Sequence, residues 1–231
     1  MSKPKVICHM MSTIDGRIIM SGWGNDATRQ AYSDIYNQCH NTFDSDAWLC
    51  GRVTMAEFDN AEEPLWAPVK EKIERVFFKG DASADSFAVA IDAHGKLGWS
   101  TNEIGGDHII QVLTEKVSDG YLAYLQQRKV SYIFAGKDTV DLTAVLSQLQ
   151  SVFGINSIML EGGGTINGAF LHAGLIDEIS LLLVPVADGR LHRATTFDVH
   201  QSFVTYVPQL LQLRSCEQLE QEVVWLRYGK R

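Results

Sequence analysis

The chain has 231 residues, 45% hydrophobic and 21% charged, an ordinary composition for a globular protein of one large or two small domains. A formal net charge of −8 excludes general nucleic-acid binding, which needs a positive surface against the phosphates. No apolar run is long enough to span a bilayer.

In chain order, KVICHMM reads as a first strand rather than a signal peptide, and STIDGR as the turn after it. DATRQAYSDIYNQCH predicts a helix with Asp26 as its N-cap candidate. DAWLCG predicts a short buried strand, and RVTMAEF a helical turn or two. DNAEEPLWAPVKEK is irregular and reads as a lid or substrate-side loop. RVFFK, FAVAI and HIIQVLT predict three strands, and DGYLAYLQQRKV an amphipathic helix. SYIFAG is a strand, DLTAVLSQLQSVFG a helix and INSIMLE a strand. INGAFLHAGL is a helix closing at Gly174, followed by the long strand DEISLLLVPVA. The last stretch, LLQLRSCEQLEQEVVWLRYGK, predicts two antiparallel strands around a polar turn.

Strand–helix–strand repetition predicts an α/β fold, a mixed and mostly parallel sheet flanked by helices, with the hairpin on one edge. No Pro-, Gly- or Ser-rich linker interrupts it, so residues 1–231 read as a single domain. Four scattered cysteines without C-x-x-C read as buried free thiols in a reducing compartment, which points to the cytoplasm. Seven dispersed histidines without metal-ligand spacing predict no metal site.

Ligands of such sheets sit beyond the C-terminal strand ends, where STIDGR, GRVT, FAGKD and EGGGTIN are all expected. EGGGTIN joins a strand to a helix, so its glycines are either tight-turn punctuation or a phosphate-binding turn. It lacks the lysine of a Walker loop, and Asn167 replaces the third glycine of G-x-G-x-x-G. A looser pattern fits Gly162, Gly164 and Gly168, with Asp188 some 20 residues on. No G-x-S-x-G occurs.

Taken together, S-T-I-D-G-R (12–17), G-R-V-T (51–54), E-G-G-G-T-I-N (161–167), F-L-H-A-G-L-I-D-E-I (170–179) and L-V-P-V-A-D-G (183–189) resemble the reductase domain of bacterial riboflavin biosynthesis. That domain is the C-terminal half of a bifunctional deaminase–reductase and has the dihydrofolate reductase-like fold. The resemblance implies an NADPH-dependent oxidoreductase of a heterocycle, similar to 5-amino-6-(5-phosphoribosylamino)uracil reductase. It implies cofactor binding by Gly162, Gly163, Gly164, Thr165 and Asn167, by Gly51, Arg52 and Thr54, and by Gly16 and Gly136. Asp15 would stand near nicotinamide and substrate, as a catalytic residue that orients the substrate or relays a proton, or as a plain turn aspartate. Glu161 ends an apolar strand, so its carboxylate is either paired or substrate-facing.

The deaminase zinc signature is absent. Where the riboflavin enzymes carry an acidic-proline stretch ending in a basic residue, MAEFDNAEEPLWAP has no arginine. A flatter, less anionic substrate would then suit Trp23 and Trp66. A pterin reductase of other substrate, or a nucleotide-binding module without activity, is the alternative. Small-molecule substrate aside, the expected partner is a second copy, because ISLLLVPV and VVWLRY offer apolar strands at an edge.

Overall fold

The computed structural model describes residues 3–59, 64, 66, 68–199 and 208–231, so most of the loop after GRVT lies outside the described residues. In chain order the elements are β1 (Lys5–Thr13), α1 (Asp26–His40), β2 (Ala47–Gly51), α2 (Arg52–Asp59), β3 (Phe87–Ile91), β4 (Glu103–Ile104) and β5 (Asp107–Leu113). They continue with α3 (Asp119–Gln127), β6 (Ser131–Phe134), α4 (Leu142–Phe153), β7 (Ser157–Leu160), α5 (Gly164–His172), β8 (Glu178–Val184), β9 (Leu211–Gln218) and β10 (Val224–Lys230).

The chain divides into two compact units, one built on Asp46–Ile158 and the other on Lys5–Ser45 with Met159–Arg231. In the first, β2, β3, β5 and β6 pair in parallel, and short β4 runs antiparallel to β5. Its strands read as unbroken apolar runs because both faces are covered: Leu49, Val89, Ile109, Ile110 and Ile133 are all fully buried. The core gathers Met55, Leu97, Trp99, Tyr121, Leu122 and Leu125, and Trp66 packs against it through the ring of Tyr121.

In the second unit β1 pairs in parallel with β8, in register from Ile7 opposite Glu178 to Thr13 opposite Val184. Antiparallel β10 follows on β8, and β9 on β10. Its core joins Met11, Trp23, Tyr32, Ile35, Leu182, Val184 and Trp225.

Local chemistry sets the helix ends. Asn25, one residue before the expected Asp26, caps α1 by accepting from the Thr28 amide at 2.9 Å. Asp141 caps α4, which closes on Gly154 in the left-handed region. α5 begins at Gly164 and ends at His172, so Gly174, at φ +65°, lies just past its C-cap, Ala173.

The expected strand at RVFFK does not form. Only Phe78 joins a ladder, exchanging two 3.0 Å bonds with Tyr132, while Val76 and Phe77 stay exposed. Cys8, Cys39 and Cys50 are buried free thiols as expected, whereas Cys216 is exposed on β9. Burial pushes the Cys39 thiol up to about 11 and Cys8 higher still, so neither is a thiolate at neutral pH.

Candidate active site

The parallel register of β1 and β8 puts their C-terminal ends side by side, and the loops that leave those ends meet. The Ile14 amide donates to the Val186 carbonyl at 3.0 Å. Asp15 then receives the amides of Asp188 at 3.0 Å and Gly189 at 2.9 Å, one on each carboxylate oxygen, and the Thr13 hydroxyl at 2.6 Å. The Thr13 hydroxyl, then the two loop amides, hold the Asp15 carboxyl well below the usual carboxylate range. These contacts staple the two loops together through the Asp15 carboxylate. Gly16 follows at φ +81°, a turn that glycine adopts without strain, and its carbonyl accepts from Thr196 at 3.2 Å.

The glycine turn leaves β7 in the same unit. Glu161 is mostly buried, its side chain 13% exposed, and its Oε1 accepts from the Tyr36 hydroxyl at 2.9 Å and from His40 Nδ1 at 2.7 Å. The pairing expected of a carboxylate in this position is thus supplied by α1. Tyr36 and His40 went unnoticed in the sequence, although their i, i+4 spacing puts two polar aromatic groups on one helix face.

Gly162 lies at φ +101° against Met10, and its peptide to Gly163 is cis. Gly163 is the N-cap of α5, with no side chain over the helix end, and Thr165 is exposed in the first turn. The first amides of a helix have no intrahelical acceptor, so this end can receive an anion.

Gly164 and Asn167 each have a structural use. A Cβ on Gly164 would come closer than 3.0 Å to the Thr195 carbonyl oxygen and the Asp198 carboxylate, and one on Gly168 would meet the Asp198 backbone. These two glycines admit the segment Thr195–Val199, whose Asp198 amide bonds the Gly164 carbonyl at 2.9 Å. Asn167 is 0% exposed and donates to the Thr196 carbonyl at 3.0 Å, so it braces the same segment from within and does not reach out to a phosphate.

Trp23 is also corrected. It is 1% exposed inside the second unit's core, out of reach of a substrate. Asp177 accepts from the Val6 amide at 3.0 Å, and Glu178, the first residue of β8, pairs with Lys5 and Arg227.

The remaining expected residues lie in the first unit. Gly51 ends β2 and Arg52 opens α2, exposed and without a carboxylate partner among the described residues. Thr54 is half-buried one position beyond Val53. Gly136, at φ +118°, allows the Thr139 carbonyl to close a tight turn where a Cβ would clash. Among the described residues no group of three or more His, Cys, Asp or Glu side chains could hold a metal ion, and no helix is long and apolar enough to cross a membrane.

Residues 4–225 match the profile of the RibD C-terminal domain. A stretch of 72 residues is 35% identical to the 2,5-diamino-6-ribosylamino-4(3H)-pyrimidinone 5′-phosphate reductase of Methanothermobacter thermautotrophicus, covering 31% of this chain and 33% of that protein. The Aquifex aeolicus protein of the same name is 34% identical over 76 residues, 33% of this chain and 34% of its own. The chain thus spans about a third of the length of the curated relatives it matches. Among solved structures, a pyrimidine reductase-like protein from Corynebacterium diphtheriae superposes with a TM-score of 0.65 at 16% identity, over 99% of this chain and 92% of that one. The riboflavin biosynthesis reductase of Saccharomyces cerevisiae gives 0.60 at 16%, over 99% and 90%. At such identities these structures share a fold with this chain, the mixed and mostly parallel sheet with its C-terminal hairpin. Matched by one profile along nearly its whole length, the chain belongs to the RibD C-terminal domain family.

Proposed function

We propose that this protein is an NADPH-dependent reductase of a ribosylamino-pyrimidine phosphate, as the names of its curated relatives suggest. The observation that carries the reading is the profile match over residues 4–225, which embraces both compact units and also supports treating them as one functional domain. A ribosylamino group in its ring-opened form contains a C=N bond. A bound nicotinamide would supply the hydride for its carbon, and a proton would complete the amine at nitrogen.

The chain's own residues have the remaining tasks. The open end of α5, with Gly163 and Thr165, fits the phosphates of a dinucleotide. Arg52 and Thr54 fit the 2′-phosphate that distinguishes NADPH from NADH, because a guanidinium fork matches phosphate oxygens. Gly51 and Gly136 shape the backbone of the turns that meet the cofactor. Asp15 and Gly16 fix the turn beside the substrate, and Glu161 accepts from the substrate's hydroxyl or amine donors. A cytoplasmic location suits the reduced thiols and a nicotinamide substrate pool.

A homodimer accompanies this reading. The strands expected at the edge, ISLLLVPV and VVWLRY, are instead inner strands: β8 pairs with β1 and β10, and β10 with β8 and β9. Among the described residues β9 is bonded only to β10, and Leu210, Leu211 and Leu213 are exposed on or beside it. An edge of that kind pairs readily with another copy.

The test is NADPH consumption by the purified protein with the pyrimidinone phosphate named above. Turnover that depends on both compounds is expected. Tight NADPH binding without turnover would favour a module that has lost its chemistry.

A further inference from the structure

Glu161 meets its turn already held by α1. Tyr36 and His40 stand one helical turn apart, and both reach the same carboxylate oxygen, Oε1; the single Tyr36 hydroxyl proton faces Oε1 at 2.9 Å and the His9 carbonyl oxygen at 3.1 Å. A carboxylate only accepts, so His40 Nδ1 carries a proton whatever the charge of the ring.

The clamp is itself braced. The His9 ring lies 4.2 Å from the Tyr36 ring, and His9 Nε2 donates to the Tyr36 carbonyl at 3.2 Å. In the neutral ring His9 Nδ1 then accepts, from the Ser180 hydroxyl at 2.9 Å. Ser180 in turn accepts from Trp225 Nε1 at 2.8 Å. The bonds run in one direction from β10 through β8 and β1 to α1, and His9, Ser180 and Trp225 are buried. A network with each donor used is stiff. Oε2 of Glu161, by contrast, accepts no bond among the described residues.

We propose that Tyr36 and His40 are positioning residues: they fix Oε1 of Glu161 so that Oε2 is presented to a hydroxyl or amine donor on the substrate. This rests on the reading of Glu161 as a substrate contact. A carboxylate with one oxygen tied has little rotamer freedom left to lose when a ligand arrives.

The test compares Tyr36→Phe, His40→Ala, His40→Asn and Glu161→Gln in the full chain, with NADPH and 2,5-diamino-6-ribosylamino-4(3H)-pyrimidinone 5′-phosphate. Tyr36→Phe and His40→Ala should each raise KM about tenfold, with a smaller change in kcat and an NADPH Kd within about twofold of wild type. His40→Asn, whose amide nitrogen falls near the Nδ1 position, should recover most of the loss. A purely structural pairing would lower the melting temperature and move NADPH and substrate affinity together, which overturns the proposal. If Glu161→Gln raises KM while Tyr36→Phe and His40→Ala leave it unchanged, the positioning role falls and the substrate role of Glu161 stands. If Glu161→Gln leaves KM unchanged, the substrate role itself fails and takes the proposal with it. Should wild type not turn over this compound, crystal structures decide: Glu161 keeping its rotamer in His40→Ala overturns the proposal, and a displaced carboxylate supports it.

Discussion

Gly163 and Gly164 are adjacent and have opposite requirements. Gly163 sits at φ −68°, a conformation open to any L-residue, at the mouth of α5. Gly164 has the Thr195 carbonyl and the Asp198 carboxylate where its Cβ would be. Gly163→Val should therefore fold normally and weaken NADPH binding by at least about tenfold, because its branches cover the helix end. Gly164→Ala should instead lower stability by about 1–3 kcal/mol, read by chemical denaturation. Unchanged NADPH affinity in folded Gly163→Val would remove the phosphate role of this turn. Arg52 allows a second discrimination. Loss of a charged hydrogen bond is worth roughly 1.5–3 kcal/mol, so Arg52→Ala should weaken NADPH about 10- to 150-fold and leave NADH nearly unmoved. Parallel loss of both cofactors would take Arg52 out of the site.

At the scale of elements, the packing of α1 on β1 carries a pH dependence. Burial lowers His9 from 6.5 to about 4, against the raising effect of Glu161. Between these values the unfolded chain takes up a proton that the folded chain refuses. Stability is thus complete above pH 6.5 and declines as pH falls towards 4, by about 3 kcal/mol in all. Asp15 behaves in a separate window. Its depressed pKa means that the loop staple is intact through that range and is lost only as pH falls below the ordinary carboxylate values. Urea unfolding across this range should show the His9 slope in wild type and a flatter one in His9→Asn, and equal slopes would contradict the buried neutral imidazole.

The same elements explain what could be read from sequence. Buried strands such as FAVAI and capped helices such as DLTAVLSQLQSVFG carry their own signals, since propensity, periodicity and cap agree. RVFFK looked like a strand because its residues favour extended backbone, but only Phe78 found a ladder partner, and pairing is a tertiary event. The glycine block was legible as a special turn, whereas the use of Gly164 and Gly168 was not: what they admit is the segment Thr195–Val199, some 30 residues away in sequence. Tyr36 and His40 were hidden for the same reason, because their partner Glu161 lies 125 and 121 residues away. Trp23 looked available for stacking and is core, as an indole flanked by glycines gives no sign of which side it faces.

An acidic chain of net charge −8 repels its own copies at long range, so association must come from the local apolar edge at β9. Light scattering at micromolar concentration should give a dimer, and Leu213→Lys should shift it to monomer by charging that edge. A wild-type monomer would sink this assembly. The chemistry is most directly tested by isotope transfer, with NADPH carrying deuterium on the reactive face of its nicotinamide and the pyrimidinone phosphate as acceptor. If the protein is the reductase described, each NADPH oxidised delivers one deuterium to carbon in the product, seen as a matching mass gain. Oxidation of NADPH with no deuterium in the pyrimidine product, or no oxidation at all, would contradict it.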